Sequence, residues 1–271
     1  MEKSYLKTHL IEFLKDSTFT VNDVIKTAVD VLKAHYVSVA GLCLLMFITW
    51  NLSEILAAFL GEINVGINIL MFLFFILVYF GLQLTLLKYI LRILDNNNED
   101  VSIKNSLPTR RQIVNFLIAT LYFFACIVLV YALIAVLFFP LIYTPIQMEV
   151  IIQIATSVGI IAIIITWIRI SFFPFFIIDR DDWPFKSIRF SLAITRGNFT
   201  RLLLLLSFFA LFHVLSIYFN YQGYAMFSAA ISIINSFLIV PLSSVAIAVA
   251  YRKMMKDYTG DADPDIIHNI I

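Results

Sequence analysis

The chain has 271 residues, 61% of them hydrophobic and only 14% charged, with a formal net charge of +1. Soluble domains hold roughly 45–50% apolar and about 25% charged residues, so the composition excludes an ordinary water-soluble enzyme and gives no footprint of nucleic-acid binding. The two cysteines, Cys43 and Cys126, fall inside apolar runs and read as small apolar side chains, not as a disulfide framework.

Residues 1–36 come first. They are too polar and too long for a cleaved signal peptide and predict cytoplasmic N-terminal amphipathic helices, with the first span acting as an uncleaved anchor. Thr20 and Asp23 give a start resembling a capping box, and Val21, Val24, Ile25, Ala28, Val29 and Leu32 form one apolar stripe. A bilayer core of about 30 Å needs about 20 mostly apolar helical residues. Six runs meet that need, at 37–60, 65–91, 113–141, 150–176, 202–220 and 225–250. Continuous apolar runs exclude a membrane β-barrel, whose strands alternate. The predicted class is therefore all-α: a polytopic membrane domain over 37–250, followed by a cytoplasmic tail over 251–271.

Lysine and arginine set orientation. All nineteen lie before the first span, around the second and fourth connections, or in the tail; the other three connections carry none, only Glu62 and Glu149. Both termini are thus expected in the cytoplasm, in a bacterial cytoplasmic (inner) membrane. Between the fourth and fifth runs, Asp181 or Asp182 is expected to cap an interfacial amphipathic helix over 183–196, beginning Trp183-Pro184 and stopping at Gly197. Phe185, Ile188 and Leu192 would face the membrane or bundle. Trp183, Lys186, Arg189, Arg196 and Arg201 would meet the headgroups of anionic lipids. A shift of 163 positions superposes Ile25 on Ile188, Lys26 on Arg189, Val29 on Leu192, Lys33 on Arg196 and Tyr36 on Phe199. With 101–116 in the corresponding place before the third span, the chain reads as three units, each an amphipathic segment and a hairpin. Any amphipathic helix preceding a span gives a similar pattern, so duplication is one of two readings.

The stretch "IRISFFPFFIIDRDDWPFKSIRFSLAITRGNFTRLL" (168–203) resembles the signature region of a poorly characterised bacterial family of six-span proteins. That family includes the membrane domain attached to some glycerophosphoryl diester phosphodiesterases. Pro174, Asp179, Ser191, Thr195, Arg196, Gly197, Phe199 and Arg201 carry the likeness, and 19–36 resembles the family's opening. The motif is loose and largely hydrophobic. No phosphodiesterase domain accompanies it here, so that activity is not implied.

Polar residues inside the runs are the remaining candidates, because an intramembrane ionisable group is a functional hypothesis by default. Asn51 and Glu54 share a face of the first run, and Asn64 and Asn68 open the second. His213, Ser216 and Asn220 share a face of the fifth; Ser228, Ser232, Asn235 and Ser236 stripe the sixth. A small outward-facing polar cavity built from Asn51, Glu54, Asn68, His213, Asn220 and Asn235 would account for them; interhelical packing contacts would also. Pro241 marks a hinge in the sixth run. The four scattered histidines give no zinc spacing, and "DADPD" (261–265) lacks the glycine and final glutamate of a calcium loop. No catalytic, cofactor or metal residues are expected. The reading that follows is a non-enzymatic integral protein organising membrane or partner proteins, with the bilayer, a membrane-protein partner or a second copy as its contacts. The alternative is a small-solute or lipid transporter or channel centred on Glu54.

Overall fold

A computed structural model describes residues 19–61, 64–96, 101–144, 147–256 and 258. The expected helical segment before residue 19 and the acidic tail from 259 lie outside the described residues. Among those described there are nine α-helices and no strand: α1 (Val21–Gly61), α2 (Val65–Asp95), α3 (Arg110–Phe138), α4 (Met148–Ile170), α5 (Phe173–Arg180), α6 (Pro184–Thr195), α7 (Phe199–Tyr221), α8 (Ala225–Ile234) and α9 (Val240–Lys256). Tighter turns occupy Ile103–Ser106 and Phe139–Tyr143, and a π turn, Asn235–Ile239, joins α8 to α9. Six stretches are long and apolar enough to cross a bilayer: Val21–Phe59, Val65–Asp95, Arg110–Leu141, Met148–Arg180, Phe199–Tyr221 and Ala225–Lys256. The protein is an all-α polytopic membrane protein.

Three expected boundaries are corrected. The first amphipathic segment and the first span are one helix, α1, kinked at His35 (φ −124°, ψ 23°). The expected fourth span, 150–176, is broken between α4 and α5. Pro174 cannot donate to the Ile170 carbonyl and its ring crowds that turn, so α4 stops at Ile170 and α5 restarts at Phe173. The helix after the break starts at Pro184, with Trp183 as its N-cap and no side-chain capping bond. Neither Asp181 nor Asp182 caps it. Asp181 instead ends α5 in the left-handed conformation, φ 55°.

Burial is strongly lopsided. The end of the bundle that carries the lysines and arginines, here the basic end, holds most of the core: Val24, Ala28, Leu84, Ile90, Phe172 to Ile178, Ile188, Phe190 and Val245 to Tyr251 are among its members. At the opposite, neutral end the helices are mostly exposed, and α8 buries no residue. The α6 helix belongs to the core. Ser187, Ser191 and Thr195 are fully buried along one face, with Ile188, Phe190 and Ile194 beside them, while Phe185 is 52% exposed, on the membrane side of the two expected for it.

Each basic-end segment docks on the returning helix of the hairpin before it. The turn ahead of α3 takes Lys88 Nζ on the Leu107 carbonyl (3.0 Å) and Arg92 on the Asn105 carbonyl. The α6 helix packs on α4 and α5, and the start of α1 packs on α9, where Asp23 pairs with Lys253. The three dockings close a ring. The 163-residue offset also holds in space: α1 starts at Val21 and α6 at Pro184. Val24 and Ser187, Ala28 and Ser191, Val31 and Ile194, Leu32 and Thr195, Val39 and Leu202, and Leu42 and Leu205 are all buried.

Candidate functional site

Helix breaks in a membrane need substitute hydrogen-bond partners, since lipid supplies none. At the α4–α5 break, the buried Ser191 hydroxyl of α6 accepts from the Phe172 N–H (3.1 Å) and donates to the Arg169 carbonyl (2.8 Å). Thr195 Oγ1 lies one turn on, 2.8 Å from the Ser191 carbonyl and 3.3 Å from that of Arg169. Pro241 repeats the problem in the last span. It leaves the Phe237 carbonyl without its helical donor, and the Tyr36 hydroxyl of α1 donates there at 2.8 Å. The π turn stands just before Pro241, so the predicted hinge coincides with a real departure from α-helix.

Below the first break a charged clamp ties three helices together. Asp179 accepts from Tyr251 Oη (2.9 Å) and from both terminal nitrogens of Arg252 (2.8 and 2.9 Å), and Arg252 reaches Asp95 of α2 at 2.7 Å. Gln112, buried in the capping box of α3, donates to the Ile178 carbonyl at 3.3 Å. Rings close the space above the clamp. Phe116 stacks on Phe173 with centroids 5.7 Å apart, Phe80 meets Phe116 edge-on at 5.1 Å, and Phe175 stacks on Tyr251 at 4.9 Å.

These rings floor a central cavity of about 470 Å³ lined by residues of all three hairpins. Phe116, Phe172, Phe173, Phe175, Leu202 and Leu205 are buried at the bottom; Phe124, Trp167 and Val240, nearer the neutral end, are exposed. A second chamber of about 400 Å³ runs along α1 past Cys43, Phe47, Trp50, Asn51 and Glu54. Both chambers are lined by Met46, Tyr79, Leu86, Val240 and Ser244, so the two adjoin along the path from the aromatic floor to Glu54. Together they have the size of a small-molecule site. The wall is predominantly apolar, and the polar cavity expected from sequence is corrected accordingly.

Of the expected polar residues, only Asn51 and Glu54 line this path. Glu54 accepts from Trp50 Nε1 at 2.7 Å, and Asn51 donates to the Phe47 carbonyl at 2.8 Å. His213 and Asn235 meet each other elsewhere, Asn235 Nδ2 donating to Nδ1 at 2.9 Å, beside a Ser216–Ser232 hydroxyl pair at 2.8 Å. That group fastens α7 to α8 and the π turn. Asn68 and Asn220 line neither chamber. The sequence missed Phe47, Trp50, Tyr79 and Ser244. The one available signal was Trp50 four residues before Glu54, neighbours on a helix face.

The expected headgroup residues divide. Trp183 is 69% exposed, with the Arg111 guanidinium 5.9 Å over its ring. Lys186 lies 3.7 Å from Asp182 and 5.5 Å from the Phe190 ring centre. Burial pushes the Asp182 carboxyl above its ordinary range, against the opposing pull of Lys186 and Arg180. Arg189 is half-buried and Arg196 exposed. Arg201 is corrected: its guanidinium turns inward to the Phe19 carbonyl.

No family model matches the chain, and no curated protein or solved structure gives a significant match. The motif residues singled out in the sequence make architectural contacts here. Pro174 breaks the helix, Ser191 and Thr195 satisfy the break, Asp179 holds the clamp, Gly197 adopts φ 77° between α6 and α7, and Arg201 holds the start of α1.

Proposed function

We propose that this protein takes a lipid-like amphiphile from the membrane into its central cavity and acts as a binding protein or carrier, without catalysing a reaction. The single observation that carries the reading is the pair of adjoining, mostly apolar chambers that lines the path from the aromatic floor to Glu54. A bundle serving only to organise partners has no need of such a path, whereas an amphiphile fits one that is apolar below and polar at the mouth. The confinement of lysine and arginine to one end supports a cytoplasmic basic end in a bacterial inner membrane, so the cavity opens toward the outer leaflet. The exposed rings of Trp183 and Phe185 support a second element of the reading, anchorage of the α6 start at the headgroup level.

The test is native mass spectrometry of the purified protein with co-purified lipids, comparing wild type with Ser244→Trp, which fills the wall shared by both chambers. Wild type should carry a retained amphiphile that the filled variant loses at unchanged thermal stability. Equal retention in a folded Ser244→Trp variant would remove the cavity from the function.

A further inference from the structure

Among the described residues lining the two chambers, Glu54 is the only one with a formal charge. It stands at the neutral-end mouth, and around it the side chamber presents three aromatic rings: Phe47, Trp50 and Tyr79. Trp50 and Tyr79 are in direct contact, edge to face, with centroids 5.9 Å apart. The Trp50 indole N–H is spent on Glu54, which fixes the carboxylate beside the rings. A carboxylate offers about four acceptor positions, so that bond leaves capacity for a ligand.

Aromatic rings grouped with a carboxylate in one pocket recognise one chemistry best. Ring faces attract cations, and quaternary ammonium groups are their characteristic ligands; the carboxylate adds an opposite charge. An anionic head would meet only like charge here. The box adjoins the apolar central cavity, sharing Met46, Val240 and Ser244 with it, and that cavity is where a tail attached to the head would run. We propose that the site selects amphiphiles with a cationic ammonium head, seated among Phe47, Trp50, Tyr79 and Glu54, with the apolar tail in the central cavity. The assignment rests on the cavity reading above and adds the class of its ligand.

Three probes of equal tail length separate the two ideas: octyltrimethylammonium, octanol and octyl sulfate. The full chain is placed in phosphatidylglycerol nanodiscs, with partition into empty discs subtracted. Trp183→Phe removes the one tryptophan outside the chambers, leaving Trp50 and Trp167 as fluorescence reporters. The ammonium probe should bind at least about tenfold more tightly than octanol, and octyl sulfate most weakly. Glu54→Gln preserves an acceptor for Trp50, so it should erase the tenfold preference while leaving the octanol Kd unchanged. Tyr79→Leu, which removes a ring without touching the charge, should also lower the preference. Equal Kd values for ammonium and alcohol in the unsubstituted site, or a preference that survives both Glu54→Gln and Tyr79→Leu, would overturn the ammonium assignment and leave the cavity standing. If octanol too moves neither tryptophan, the cavity reading falls with it.

Discussion

Replacing Ser191 by alanine removes one oxygen from the fully buried face of α6 and cuts two hydrogen bonds across the α4–α5 break. The two losses are unequal. The Arg169 carbonyl keeps Thr195 Oγ1 at 3.3 Å, whereas the Phe172 N–H is left in an apolar interior. Interhelical hydrogen bonds in bilayers average about 0.6 and reach about 1.7 kcal/mol, and a stranded buried donor costs about 1–3 kcal/mol. The expected loss is about 2 kcal/mol, more than a tenfold change in the folding equilibrium. Reversible unfolding of the protein in mixed micelles, titrated with denaturing detergent, would measure it. The decisive arm is a double-mutant cycle with Pro174→Ala. Restoring an N–H at 174 lets α4 run on, so the Phe172 N–H regains a helical acceptor and Ser191→Ala should then cost at least about 1 kcal/mol less. A loss under about 0.5 kcal/mol in both backgrounds would refute the claim that Ser191 holds the break.

Asp179→Ala strands the Tyr251 hydroxyl and leaves Arg252 with Asp95 as its carboxylate partner, and should destabilise by about 1–3 kcal/mol in the same unfolding assay; Asp179→Asn, which still accepts from Tyr251, should cost less. The Asp182 carboxyl is raised by burial, so the folded state holds its proton more tightly than the unfolded chain: its stabilising contribution is full below about pH 4 and is lost as pH rises through the folded value. Asp182→Asn should abolish that part of the pH dependence, measurable as a flatter melting-temperature profile across that window. Reporter fusions after Glu149 and Gly223 should read as external and one after Asp182 as cytoplasmic; one reversed reporter would break the proposed orientation.

The spans were legible because twenty apolar residues leave a helix little alternative in lipid. The 163-residue offset, read from pairs such as Ile25 and Ile188, is matched by burial at other pairs, Val24 with Ser187 and Ala28 with Ser191. The buried face of α6 was not legible, because Ser187, Ser191 and Thr195 are polar by type, yet in lipid small hydroxyl residues are favoured where helices approach closely. The repair of the break at Pro174 was not legible, since nothing local shows that Ser191, seventeen residues on, supplies the substitute partner. The cavity was illegible because its wall is assembled from apolar residues of three hairpins, which look like any lipid-facing positions. Only Asn51 and Glu54 broke that camouflage.

The division between a packed basic end and an open neutral end follows from what holds helices together in a bilayer. Lipid tails are as apolar as leucine, so apolar contact alone gives helices little reason to close on one another. Attraction has to come from polar groups. Here the strongest of them, the Asp179–Arg252–Asp95 clamp, the Ser191 and Gln112 bonds and the Asp23–Lys253 pair, stand at the basic end. Toward the neutral end the contacts are local: Ser216 with Ser232, His213 with Asn235, Trp50 with Glu54. Each fastens neighbouring turns or one hairpin, and none draws the three hairpins together. Above the Phe116–Phe173 floor the hairpins leave the two chambers between them. An apolar tail filling the gap loses little on leaving the surrounding lipid, so discrimination between ligands falls to the polar mouth, and with it to Trp50, Tyr79 and Glu54.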